Sequence, residues 1–235
     1  LKRKALPFLF LILFSGCRDI VFDNPLDPNL SKLQVKILKV VNTTLKGNGD
    51  LCWDGEKLWF ASEDGSLYAL EPESGTVLRE IPVGGTPTGI TFLQGLLYVS
   101  FGGEGDLITV DPVSETIINE MPMGDRLPQL ITTDGNLLFI YDSRTESVYS
   151  FDQETGEFAF LFKITGFRPS GMEYYGGGIV LVERTNLSIY LISLSGEIQK
   201  TYDSPTNYPG GITSDGMGNF YLLSTDGKLY KISLQ

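Results

Sequence analysis

The chain has 235 residues, no histidine, two cysteines, and 29 acidic against 18 basic residues, for a net charge of −11. This length suits one domain whose core needs no disulfides, and the acidity makes nucleic acid and anionic lipid poor partners. Without His, no Ser-His-Asp or Cys-His site and no His-ligated zinc or iron can be built; any metal would be a hard cation held by oxygens, with calcium the best match.

The N-terminus reads "LKRKALPFLFLILFSGC". Lys2, Arg3 and Lys4 precede an apolar run, Ala5 to Phe14, that is too short to span a bilayer, as in a cleaved signal. Ser15-Gly16-Cys17 resembles the lipobox of bacterial lipoproteins, with Phe14 where Leu is usual. That resemblance implies removal of residues 1–16, lipidation of Cys17, and an extracytoplasmic protein of the bacterial cell envelope, anchored to a membrane. More than one acyl chain on Cys17 would make the anchoring stable. Residues 17–32 then form a tether, stiffened by Pro25 and Pro28 and too poor in apolar residues for a core. Loss of the three basic residues takes the net charge from −11 to −14. Cys52 is left without a disulfide partner and reads as a small buried hydrophobe.

Residues 33–235 read as a propeller domain. From Leu51, "LCWDGEKLWFASEDGSLYALEPESGTVLREI" parses as four short strands separated by Asp54-Gly55, Asp64-Gly65 and "EPESG" turns. Further copies start at Pro87, Pro128, Pro169 and Pro209, at the roughly 40-residue period of a four-stranded propeller blade. The fifth copy lacks its fourth strand, and Leu33 to Val41 ("LQVKILKVV") is a strand without a partner. Joining the two removes both exposed edges. The expected fold is therefore all-β: a five-bladed β-propeller of four-stranded antiparallel blades, its last blade closed by an N-terminal strand.

Trp53-Asp54-Gly55 to Leu58-Trp59 and Leu70 to Gly75 ("LEPESG") resemble the WDGxxLW and LDPxTG repeats of bacterial propellers, including NHL- and YVTN-like ones. This implies the fold far more than a function. Propeller-type glutaminyl cyclotransferases are similar in having five blades and inner-strand motifs that end in Gly and an aliphatic residue. They carry Gln, Glu or Trp before that Gly. Here Thr88, Ser170 and Gly210 stand there, and only Gln129, before Leu130, fits in type. Calcium-dependent lactonase propellers are a second enzymatic resemblance, but no matching set of Asn and Asp ligands is found.

Two function classes follow: a non-catalytic module binding a protein, peptide or glycan at the cell envelope, or an enzyme of the cyclotransferase or lactonase type. The candidate surface is the face where inner strands begin. Thr88, Gln129, Ser170 and Gly210 form one ring there, and Gly89, Leu130, Gly171 and Gly211 the next, with Asn48-Gly49-Asp50 filling the first blade's slot. Arg126 and Arg168 precede two of these strands as a possible carboxylate clamp. Second strands end at Glu63, Phe101, Asp142, Glu183 and Thr225, with Asp226 beside the last. Glu63, Asp142, Glu183 and Asp226 are thus either separate turn caps or an acidic rim for calcium or a cationic group.

Overall fold

A computed structural model describes residues 32–103 and 105–235. The signal segment and Cys17 lie outside the described residues, as does the tether apart from Lys32. Strand β1 (Lys36–Asn42) precedes the first blade, β2 (Leu51–Trp53), β3 (Leu58–Ser62), β4 (Ser66–Leu70) and β5 (Val77–Pro82). The second blade is β6 (Pro87–Leu93), β7 (Leu96–Phe101), β8 (Asp106–Asp111) and β9 (Thr116–Pro122). The third is β10 (Pro128–Thr133), β11 (Leu138–Asp142), β12 (Ser147–Phe151) and β13 (Phe158–Lys163). The fourth is β14 (Pro169–Tyr175), β15 (Gly178–Glu183), β16 (Ser188–Ser193) and β17 (Ile198–Asp203), and the fifth opens with β18 (Pro209–Ser214), β19 (Phe220–Ser224) and β20 (Lys228–Ser233). Each blade is a four-stranded antiparallel sheet, and the five sheets form a ring, so the fold is the expected five-bladed propeller.

The last sheet has the order β1-β20-β19-β18, so the N-terminal strand closes the ring. Val41 pairs with Leu229 and Asn42 with Lys228. The expected strand began at Leu33, and here the structure differs. Leu33 instead bridges Tyr202 of the fourth blade in parallel, with its amide on the Thr201 carbonyl and its carbonyl accepting from the Asp203 amide, both at 2.9 Å. The segment therefore ties two blades before it joins the fifth.

Packing explains the apolar runs. Second strands such as β3, β11, β15 and β19 are buried along their whole length because both sheet faces meet neighbouring blades. Among the described residues the core comprises five apolar clusters, one at each junction between blades. Outer strands expose residues such as Leu78, Ile118 and Phe160.

Acidic residues are spent on turns. Asp54 Oδ1 accepts from the amides of Glu56 and Lys57, at 2.8 and 2.6 Å, and its Oδ2 from Trp59 Nε1 at 2.8 Å. Asp134 and Asp215 do the same to backbone amides in the third and fifth blades. Asp111 and Asp152 cap the turns between third and fourth strands, and these amide and hydroxyl donors hold both carboxyls below their usual range. Much of the chain's negative charge is thus the chemistry of repeated tight turns.

Candidate functional site

Inner strands β6, β10, β14 and β18 all slip register with their second strands just after the proline. Thr88, Gln129, Ser170 and Gly210 fall in these bulges, which re-aim side chains. Thr88 Oγ1 donates to the Gln129 carbonyl at 2.7 Å, and Ser170 Oγ to the Gly210 carbonyl at 2.9 Å. Both bonds cross from one blade to the next. The hydroxyls of this ring are therefore committed to holding the inner strands together.

One residue further on, the inner strands meet backbone to backbone. A Cβ on Gly211 would lie 2.5 Å from Asp50 Cα, one on Gly171 2.7 Å from the Ile212 nitrogen, and one on Gly89 2.8 Å from Leu130 Cα. Leu130 and Asp50, 2% and 0% exposed, fill the same level and pinch the axis. The Asp50 carboxylate accepts from the amides of Leu51 at 2.8 Å, Met172 at 3.1 Å and Ile212 at 3.0 Å. It thereby joins the first blade to the fourth and fifth. Burial pushes its carboxyl well above the usual range; the three amides pull the other way without cancelling this, and nearby Glu173 adds to the rise.

Of the carboxylates expected at one exit position, Asp142 and Glu183 share it and Glu63 and Asp226 do not. Pro128 pairs with Asp142, Pro169 with Glu183 and Pro209 with Ser224 rather than Thr225. In the first blade the strand-end pair is Ser62 with Ser66, matching Asp142 with Ser147 and Glu183 with Ser188. The exit position thus reads Ser62, Phe101, Asp142, Glu183 and Ser224. The reason is turn length. Three residues separate Ser62 from Ser66, while four separate Asp142 from Ser147 and Glu183 from Ser188. The longer turns end at Glu146 and Leu187, both at φ 51°, where the shorter ones use Gly65 and Gly227 at φ 94° and 91°.

Asp142 and Glu183 each cap their own turn and also reach the amide that precedes their blade's inner strand. Asp142, 1% exposed, accepts from the amides of Leu127 and Arg144 and from Thr145 Oγ1. Glu183, 1% exposed, accepts from the amides of Arg168, Thr185 and Asn186. Glu63 is exposed and accepts from Asn48 Nδ2 at 2.9 Å, and Asp226 bonds Ser224 and pairs with Lys228 at 3.3 Å. Among the described residues no group of three or more His, Cys, Asp or Glu is placed to hold a metal ion.

Beside the bulge ring, a cleft of ≈ 520 Å³ opens between the third and fourth blades, lined by Gln129, Tyr141, Glu146, Phe167, Arg168 and Arg184 among others. Arg126 does not line it. Its guanidinium carbon lies 3.8 Å from the centre of the Phe158 ring and 5.2 Å from that of Tyr149. Arg184, which the sequence did not single out, stands in the cleft with Arg168. Its Nε donates to the Pro209 carbonyl at 3.2 Å, and burial draws its pKa down against the pull of Glu63 and Asp50. Neither arginine forms an ion pair among the described residues. Tyr141 is pushed up to about 12, first by burial and then by Glu146 and Asp142, so its hydroxyl stays a neutral donor.

Below the pinch, the inner strands place one residue each around a pocket of ≈ 180 Å³: Cys52, Thr91, Thr132, Glu173 and Thr213. Trp53, Phe92 and Thr133 complete its wall. Thr132 Oγ1 donates to Glu173 Oε2 at 3.2 Å, and the Ser214 amide donates to Oε1 at 3.0 Å, so the carboxyl links the third, fourth and fifth blades. Glu173 is half-buried and lines this pocket. Its pKa is raised to about 8, with burial the main cause, opposed by the Ser214 amide and the Thr132 and Thr213 hydroxyls. Burial likewise pushes the Cys52 thiol well up, helped by Glu173. The sequence reading placed Asp50 only as part of the first blade's slot and did not single out Glu173, although each is the one acid in its repeat column: Asp50 against Gly89, Leu130, Gly171 and Gly211, and Glu173 against Cys52 and three threonines.

No protein-family model matches the sequence, and no curated protein does. Solved structures do resemble the fold. The crystal structure of Myxococcus xanthus glutaminyl cyclase superposes with a TM-score of 0.74 at 14% identity, covering 87% of this chain and 99% of that one. The β-propeller domain of Myceliophteria thermophila Cps50 (Swd1) gives 0.52 at 11% identity, covering 81% and 86%. At these identities the likeness is one of fold alone.

Proposed function

We propose that this chain is a non-catalytic binding module of the bacterial cell envelope, lipid-anchored through Cys17, which takes a carboxylate-bearing protein, peptide or glycan in the cleft between its third and fourth blades. The observation that carries this reading is the pair of guanidiniums without ion-pair partners, Arg168 and Arg184, in that cleft of a strongly acidic chain. A carboxylate entering there gains charge-assisted hydrogen bonds, with Gln129 and the neutral Tyr141 hydroxyl as further donors.

The enzymatic alternative is cyclisation of N-terminal glutamine, favoured by the overlap with the glutaminyl cyclase fold. Against it stands the bulge ring. Its hydroxyls, Thr88 and Ser170, already donate to carbonyls, and Gly210 offers no side chain to move a proton. One experiment separates the two. A short Gln-initiated peptide with a free C-terminal carboxylate is offered to the protein, while mass spectrometry follows ammonia loss and calorimetry follows binding. Binding without turnover, weakened at least tenfold in Arg168→Gln and abolished by C-terminal amidation, supports the module. Turnover establishes the enzyme, and binding indifferent to amidation removes the carboxylate from the reading.

A further inference from the structure

The axial pocket is separate from the cleft between the third and fourth blades. It lies on the other side of the level where Asp50 and Leu130 pinch the axis, and its wall has a different chemistry. It gathers three hydroxyls, one carboxyl and a neutral thiol at one equivalent position of all five blades, with half-buried Trp53 and Phe92 beside them. Thr132 donates to Glu173, and the Thr213 hydroxyl lies near enough to help lower the pKa of that carboxyl. Thr91 is different. It is 3% exposed, and its hydroxyl has no hydrogen-bond partner among the described residues, although it borders the pocket. Among the described residues the buried side-chain atoms left without a partner are Ser100 Oγ and Gln153 Oε1, so the Thr91 hydroxyl is not enclosed but open to the pocket, where a ligand can meet it.

Size decides between occupants. A bare metal ion needs oxygens at about 2.0–2.6 Å on most sides, while ≈ 180 Å³ is room for about six waters. The chamber is too wide for an ion with a single carboxylate. An ammonium head on a short alkyl stem fits better: it carries three donors and no acceptor, and the wall offers Glu173 and the hydroxyl oxygens of Thr91 and Thr213. The aromatic side chains of Trp53 and Phe92 in the wall suit the apolar stem. We propose that the axial pocket is a binding site for a primary alkylammonium group, with Glu173 and Thr91 as its main acceptors. A bound cation also favours the ionised form of Glu173, which otherwise is held largely protonated near neutral pH and among the described residues pairs with no Lys or Arg.

Two sources share this chemistry, a lysine side chain of a polypeptide and a free polyamine. The probe common to both is n-butylammonium chloride, titrated calorimetrically into the full chain in amine-free buffer, with butyltrimethylammonium and n-butanol as controls. The expected result is saturable one-to-one binding of n-butylammonium alone, weakened about tenfold or more in Thr91→Val and in Glu173→Gln. Thr91→Val keeps the side-chain shape and deprives no described residue of a partner, so it remains informative if Glu173→Gln fails to fold. Tighter binding of an acetyl-lysine-amide peptide than of 1,4-diaminobutane assigns the site to a protein ligand, and the reverse order assigns it to polyamines. Absence of saturable heat at millimolar n-butylammonium, equal binding of the trimethyl analogue, or full affinity in a folded Thr91→Val overturns the proposal.

Discussion

Glu173 should make the stability of this ring fall as pH rises through neutrality. An acid whose pKa is higher folded than unfolded binds its proton more tightly in the folded state, so stability is complete below the unfolded value and is lost as pH climbs through the folded one. For Glu173 that window runs from 4.5 to about 8. The full difference between the two protonation states is about 5 kcal/mol as an upper bound. Because Glu173 faces a pocket roomy enough for water, about 2–3 kcal/mol is the figure expected. Asp50 shifts in the same direction, so the wild type alone cannot assign the slope. Glu173→Gln can: it keeps an acceptor for the Ser214 amide, and its amide can donate to Thr132 Oγ1 if that hydroxyl turns. Urea unfolding followed by fluorescence of Trp53 and Trp59, in amine-free buffers from pH 5 to pH 9, gives the comparison. The variant should match the wild type near pH 5 and exceed it by about 2–3 kcal/mol at pH 9. Turn-cap carboxyls such as Asp111 and Asp152 are held below their usual range and titrate beneath this window. Parallel wild-type and variant curves over the whole range would refute the assignment of Glu173 as a buried carboxyl held protonated near neutral pH.

Gly211→Ala should lower stability by about 1–3 kcal/mol, because its Cβ would meet the Asp50 backbone at 2.5 Å, and backbone cannot step aside as a side chain can. Scanning calorimetry checks this against Gly103→Ala, whose Cβ would have nothing within 4 Å; equal melting temperatures would remove the close approach from the account. Deleting Lys36–Asn42 should bare β20 along its whole edge and yield aggregates or a loss of cooperative unfolding, read by light scattering and thermal melts. A monomer that melts as the full chain does would show that the ring needs no closing strand.

The fold was legible because a blade writes itself in local chemistry. Asp54-Gly55 and its relatives, the apolar second strands and the roughly 40-residue period all act within one hairpin or one sheet, where neighbours in sequence are neighbours in space. The closing strand was readable from its lack of a partner. The exit carboxylates were misaligned by one residue for an equally local reason: a three-residue turn carries its acid within the loop, at Asp64 and Asp226, and a four-residue turn carries it at the strand end, at Asp142 and Glu183. What stayed hidden were contacts between blades. Asp50 accepts from Met172 and Ile212, 122 and 162 residues away, and nothing in its own hairpin announces that.

In a repeat protein the informative residue is the one that breaks its column. A column of glycines at the pinch says only that inner strands crowd the axis, and a column of threonines says that a hydroxyl fits there. Asp50 breaks the first column in the blade that must meet the fifth when the ring closes. Its carboxylate reaches amides of both the fourth and fifth blades, so the ring is fastened at the axis as well as at the rim, where β1 joins β20. Glu173 breaks the second column one blade before the fifth and bonds across to Ser214. Both exceptions therefore contact the last blade, the one assembled from the two ends of the domain, and each does so with a carboxyl whose burial costs stability. Asp50 is fully enclosed and spends its oxygens on backbone amides, as a clasp would. Glu173 uses the same kind of bonds yet keeps a face on the axial pocket, and that remaining face makes it the acid to examine for binding.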